Sequence, residues 1–451
     1  MREIAPTSRK CILVATLLWS CLSGAVVTAG RAVAAEEKRP AAPVNVNFAF
    51  SYGWQAEIDN MKKSMAQFEA ANPGIRVNLI PVQYGDWNQK LTTLIATNGV
   101  DVVTLSQSQF ASLAASDALL DITDRAAHDP TWHPEQMRRI PVQLPIWIDG
   151  RRYGFAPGWG TLIMAYNADH FAEAGLIDPN TQYRQGRWTW AGFVETARKL
   201  TKVDSNGLGR WGLAGWGAGY DWIAAIYQNG GSFYNIQGGH LTDFTLDSEK
   251  SIQALQWVVD LRWKEKVLPP HNDYAKASFE GGTASMCETG AHVFTTYAKS
   301  VRFNWDIMPY PKGTSDILYA QPGWGGVIYA IARSTKVPEA AYKLARYFVP
   351  DAEAEKQRIA QDGAMGPSLY PELDRWALEH PSPVMPKSMW VMFEVFDKAY
   401  FQPIHPLHDA IMTQVNKYLD PVWYASSQPN VREAAIKASE AARAIIRSYK
   451  K

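Results

Sequence analysis

Between Val44 and Leu105 the spacing of apolar residues switches back and forth between every second and every third or fourth position, and that switching restricts the fold more than any other feature of the chain. Val44, Val46, Phe48 and Phe50 alternate, as on one side of a strand. After a turn at Ser51-Tyr52-Gly53, residues Trp54, Ile58, Met61, Met65 and Phe68 recur at steps of four and three, the stripe of a helix. Asn72-Pro73-Gly74 stops it. Ile75, Val77 and Leu79 alternate with Arg76 and Asn78 as a second strand. Tyr84-Gly85-Asp86-Trp87 opens another helix, and Val100-Asp101-Val102-Val103-Thr104-Leu105 reads as a buried third strand. Strand, helix, strand, helix, strand predicts a parallel sheet with right-handed crossovers.

Further along, Asp149-Gly150 between two β-like runs predicts a hairpin. Helical and strand-like segments alternate to about residue 360, and the end is rich in helix. Val431, Ala435, Ala438, Ala442, Ile445 and Tyr449 predict one face of a final amphipathic helix. The 451 residues are enough for two or three cores, and 47% hydrophobic with 20% charged residues is a globular composition. Lys+Arg at 45 against Asp+Glu at 44 argues against a nucleic-acid binder or a protein held to anionic lipid by charge. Aromatic residues are abundant, with 18 Trp, 20 Tyr and 16 Phe, and several lie in Gly-rich turns where core packing explains them poorly.

The N-terminus reads as an export signal spanning residues 1–35. Arg2, Arg9 and Lys10 precede an apolar run from Cys11 to Val27, and Ala32-Val33-Ala34-Ala35 supplies the small residues of a cleavage site. An exported, periplasmic protein is expected, or one tethered to the cell surface if Cys21 is lipidated. A retained membrane anchor is the other reading. Only Cys287 lies beyond this segment, so no internal disulfide is expected in the mature chain.

Six further stretches occur in a fixed order. They are Phe68 to Val77; Tyr84 to Lys90 with Asn98 to Val102; Tyr153 to Pro157 with Leu162 to Asn167; Trp188 to Phe193; Phe279 to Met286; and Gly325-Gly326 running through Val337 to Ala341. On these the chain closely resembles the extracellular sugar-binding solute-binding proteins of ATP-driven (ABC) importers, the family that includes maltose-binding protein. The resemblance covers nearly the whole mature chain. It departs at Val100, where the family has Pro, and at Ala291-His292, where an aromatic is usual. It implies an α/β, two-lobe periplasmic-binding-protein fold with a hinge of about three crossovers. One lobe would hold residues 44–156 and 322–362, the other 157–321 and 363–451. It implies a mono- or oligosaccharide held in the cleft between lobes, ABC permease and ATPase subunits as partners, a monomer, no cofactor and no catalysis.

A sugar offers apolar C–H faces and a rim of hydroxyls, so its site needs flat aromatic surfaces and fixed polar groups. The aromatic candidates are Trp324 at the second crossover and Trp216, Tyr220 and Trp222 after the Gly212–Gly215 strand. Trp159 at the first crossover and Tyr52 and Trp54 after the first strand complete them. Trp54 also opens the helical stripe and reads as core. Gly325 and Gly326 let backbone approach the ligand. The polar candidates are Gln83, Tyr84 and Asp86 after the second strand, Ser106 and Gln107 after the third, then Glu288 and Asp362. Asp86 reads equally as a helix N-cap.

The alternatives are a secreted carbohydrate-active enzyme and a binder of a polyol, sugar phosphate or peptide. The sequence pairs no carboxylates recognisably and carries no G-x-S-x-G, P-loop or H-E-x-x-H motif. The prolines flanking His405 argue against a metal site with His408 and Asp409.

Overall fold

The computed structural model describes residues 42–449 apart from 148, 159, 207, 216–220, 238–239, 271–275, 321–325, 363–368, 381–384 and 402–404. A five-stranded sheet combines the strands β1 (Val44–Tyr52), β2 (Ile75–Gln83), β3 (Val102–Leu105), β4 (Gly154–Phe155) and, from much later in the chain, β13 (Ile328–Ile331). Its order is β2-β1-β3-β13-β4. β1 runs parallel to β2 over nine pairs, from Val44↔Ile75 to Tyr52↔Gln83, and parallel to β3. β13 is antiparallel to β3 and β4. The expected parallel start is therefore present, with one reversed strand returned from afar.

Two helices cover this start. α1 (Gln55–Ala71) buries Ile58, Met65 and Phe68, and α2 (Trp87–Ala96) buries Trp87, Leu91 and Leu94. β1 is covered on both faces, so Ala49 is as buried as Val46 and Phe48. Gly154 is required where β4 meets β13: a Cβ there would lie 2.4 Å from the Tyr329 carbonyl oxygen. The hairpin forms as expected, with Gly150 at φ 83° and Ile146 bridged to Arg152.

A second, three-stranded sheet joins β5 (Leu162–Asn167), β10 (Met286–Gly290) and β11 (Trp305–Met308) in the order β10-β5-β11, all pairs antiparallel. Trp211 and Ala214 bridge to Ala284 and Cys287 beside β10. Short pairs complete the strands: β6 (Lys202–Val203) with β7 (Gly209–Arg210), β8 (Tyr234–Gln237) with β9 (His240–Phe244), and β12 (Tyr319–Ala320) with β14 (Ala399–Tyr400). The helices Asp221–Gln228, Glu249–Trp263, His408–Trp423 and Val431–Tyr449 share a separate core with β8 and β9. The last helix buries Val431, Ala435, Ala438 and Ala442 as expected. Ile446 completes the stripe; Ile445 is half-buried and Tyr449 exposed.

The chain thus leaves the first sheet after β4, enters the second at β5, and returns at β13. Leu369–Glu379, expected with the second lobe, packs instead against elements of the first. Tyr370 Oη donates to the Pro350 carbonyl at 2.9 Å, Arg138 N–H donates to the Leu369 carbonyl at 2.7 Å, and Lys356 Nζ sits 5.3 Å from the Trp376 ring centre.

Candidate functional site

The carboxyl ends of β1, β2 and β3 lie at one edge of the first sheet, the edge at which open α/β sheets hold ligands. The Tyr52↔Gln83 pairing sets those two residues side by side there. Continuing the β1–β3 register from Ala49↔Val103 places Ser106 level with Tyr52. β13 starts at Ile328 opposite Leu105, so Gly326 lies two residues before that pair on one strand and Gln107 two residues after it on the other. Of the expected candidates, the structure therefore brings Tyr52, Trp54, Gln83, Tyr84, Asp86, Ser106, Gln107 and Gly326 to one edge.

Local sequence fixes the turn after β1. Glu57 Oε2 accepts from the Gly53 N–H at 2.6 Å and from the Trp54 N–H at 3.3 Å, closing the first turn of α1. Trp54 is then the N-cap residue, with extended backbone. Its ring is 73% exposed, so the core reading of Trp54 is corrected: the stripe of α1 starts at Ile58. Tyr52 is half-buried against the core. Tyr84, in a one-turn 3-10 helix Tyr84–Asp86, is 61% exposed, and Gln83 and Asp86 are exposed beside it. The Asp86 side chain makes no capping bond to α2, which leaves its carboxylate to solvent.

A residue absent from the sequence candidates organises the neighbouring turn. Gln109, in α3 (Gln107–Ala115), accepts from the Ser106 N–H at 2.9 Å and from Trp87 Nε1 at 3.3 Å, and donates to Asn88 Oδ1 at 2.5 Å. Ser106 Oγ accepts from the Gln109 N–H at 3.3 Å and lies 3.2 Å from Ser108 Oγ. Ser106 is thus largely a helix cap, and the loops after β2 and β3 are tied together. The S-x-x-Q spacing of a capping box was the signal for Gln109. Gln107 is buried.

Fewer candidates from the second half are in view. Trp159, Trp216, Tyr220, Trp324 and Gly325 lie outside the described residues, as does the side chain of Asp362, which ends the helix Ala352–Asp362. Glu288 is half-buried on β10 opposite Met164. Trp222 is a correction. It is 1% exposed, 5.9 Å from the Phe233 ring and stacked 6.5 Å from Trp423. The helix Asp221–Gln228 has already begun at Trp222, and its inner face enters the second core. Asp409, weighed in the sequence only as a metal ligand, lies in the first turn of the helix His408–Trp423. Burial pushes its carboxyl up, and Ser108 partly offsets the shift. His408 is buried with Nδ1 2.8 Å from Tyr234 Oη, and burial lowers its pKa to about 4. Among the described residues no group of three or more His, Cys, Asp or Glu is placed to hold a metal ion.

A cavity of about 940 Å³ lies near the opposite end of the first sheet, between the end of α1 (Phe68, Asn72), Asp124–Thr131 and the helix Pro338–Tyr347. Much of its polar lining is already paired within the protein. Asp129 accepts from Tyr342 Oη at 2.8 Å, Arg125 pairs with Glu339, and Arg346 donates to the Thr131 and Val349 carbonyls. These bonds join the helix to the Asp124–Thr131 loop, so this cavity reads as a packing seam.

Residues 52–355 match the family of bacterial extracellular solute-binding proteins. The chain belongs to that family. Among curated relatives, this solute-binding protein is 25% identical over 277 residues to a putative ABC transporter periplasmic-binding protein of Escherichia coli, covering 56% of each chain. It is 22% identical over 298 residues to the arabinooligosaccharide-binding protein of Bacillus subtilis, covering 63% of this chain and 64% of that one. The chain thus spans 56–64% of the length of these relatives. Among solved structures, an ABC substrate-binding protein of Listeria monocytogenes in complex with cycloalternan aligns with a TM-score of 0.74. Identity is 23%, with 90% of this chain and 99% of that one covered. The sugar-binding protein MalE of Xanthomonas citri aligns with a TM-score of 0.72 at 17% identity, covering 90% and 98%. These alignments make the fold the two-lobe α/β fold of maltose-binding-like proteins. Among the described residues no helix is long and apolar enough to cross a membrane.

Proposed function

We propose that this solute-binding protein captures a mono- or oligosaccharide between its lobes and delivers it to the permease and ATPase subunits of an ABC importer. The observation that carries the reading is the exposed pair Trp54 and Tyr84 beside Gln83 and Asp86 at the carboxyl edge of the first sheet. Large rings left in water at a site of closure are costly unless something apolar covers them, and the C–H face of a sugar does so with little rotamer entropy to lose. Gln83 and Asp86 supply the acceptors that a rim of hydroxyls needs. The relatives named for arabino-oligosaccharide and maltodextrin support the same ligand class.

The proposed lobes are residues 44–156 with 322–380, and residues 157–321 with 381–451. Ligand bound to both half-sites would select the closed form through its extra contacts to the second lobe. The aromatics Trp159, Trp216, Tyr220 and Trp324, the Gly325 backbone and the acids Glu288 and Asp362 complete the proposed site. The role is binding without catalysis, as a monomer and without a cofactor. An exported protein fits the family, and Cys21 offers a lipidation point.

The test is a thermal-unfolding scan of the mature protein against a sugar panel, with the sugars analysed afterwards. A ligand at about 1,000 times its dissociation constant stabilises by roughly 4 kcal/mol, a clear rise in melting temperature. A rise for one sugar class with the sugar recovered intact is expected. No rise for any sugar would contradict the ligand class, and a cleaved sugar would contradict binding alone.

A further inference from the structure

Arg138, in the segment ahead of the predicted hairpin, is a buried cation shared between two carboxylates from later in the chain. Its Nη2 bonds Asp374 and its Nη1 donates to Asp397 Oδ1 at 2.7 Å. The guanidinium also sits 5.1 Å from the Phe396 ring centre. The two partners fall on opposite sides of the lobe division proposed above. Asp374 lies on the helix Leu373–Glu379, which packs on the first lobe through Tyr370 and Trp376. Asp397 ends the helix Trp390–Asp397, whose Glu394 accepts from Tyr183 Oη at 2.6 Å in the second lobe. The next residue, Lys398, accepts from the Leu318 N–H, and β14 follows beside β12 just ahead of the return to the first sheet. Arg138 therefore spans the hinge, moving with Asp374 and bridging to Asp397.

The location of Asp397 is unfavourable on its own. A carboxylate in the last turn of a helix meets the negative end of the helix dipole. Pairing with Arg138 offsets that cost in the arrangement seen here.

We infer that the Arg138–Asp397 ion pair is an interlobe tie that holds the lobes together at the angle of this structure before any ligand arrives. Arg138 acts as a positioning residue and touches no sugar. The inference rests on the lobe division proposed above, but its test needs no ligand, so failure of the sugar assignment leaves it standing. The experiment is small-angle X-ray scattering on the sugar-free mature protein, comparing wild type, Asp397→Asn, Arg138→Lys and the control Glu195→Gln, whose partner Lys199 lies in its own helix. Asp397→Asn keeps size and removes charge at a largely exposed side chain, so the fold survives, as an unchanged circular-dichroism spectrum would verify. The radius of gyration should rise for Asp397→Asn, rise less for Arg138→Lys, and stay at the wild-type value for Glu195→Gln. A wild-type radius for Asp397→Asn, or an equal rise in the control, would overturn the tie.

Discussion

Trp54 and Trp222 are both aromatic residues set just after glycine-bearing stretches of sequence, yet the first stands 73% exposed and the second 1%. The difference is one of position within the following helix. Trp54 is the residue before α1, with extended backbone and its amide tied to Glu57, so its side chain points away from the face that α1 buries. Trp222 is already helical, in a helix buried at every residue from Trp222 to Gln228, and it packs in the second core with Ile223, Ala225 and Ile226. A cap residue can serve a ligand; a residue one step inside the helix serves the core.

Truncation should separate the two most sharply. Trp222→Ala removes a ring enclosed by Phe233 and Trp423 and should cost about 3–5 kcal/mol of stability. Denaturant unfolding measures it, and a cost below about 1 kcal/mol would mean the ring is not core. The second core carries a further prediction through His408. Burial lowers its pKa from 6.5 to about 4, so the folded state favours the neutral ring. The unfolded chain takes up the proton first as pH falls through about 6.5, and stability is then lost progressively down to about pH 4. The loss is roughly 3 kcal/mol from this group. His408→Gln should flatten that part of the stability–pH curve, whereas the first-sheet edge, with no histidine among its candidates, should contribute nothing to it.

Much of the fold was legible because it is locally written. The alternation at Val44–Phe50, the stop at Asn72-Pro73-Gly74 and the Asp149-Gly150 turn each depend on a few adjacent residues, and each appears where expected. The placement of the candidate residues was legible in part. The carboxyl-edge rule located Tyr52, Gln83, Tyr84 and Ser106 without knowledge of packing. What failed was any question of facing. Periodicity assigns Trp54 and Trp222 to helices but not to a side, because the burying surface comes from distant chain. The same limit hid the partners of Arg138, which lie 236 and 259 residues away. Gln109 is a different miss: its capping box is local and was readable.

The comparison turns finally on what the exposed ring is for. Isothermal titration of a sugar panel into wild type and Trp54→Ala, with a melting curve for each, tests it most directly. The account predicts that one sugar class binds wild type, that Trp54→Ala weakens it about five- to thirtyfold, as expected for losing a stacking contact of roughly 1–2 kcal/mol, and that the sugar-free melting temperature is unchanged. Equal affinity for both proteins, or a Trp54→Ala protein that binds normally but melts early, would contradict it.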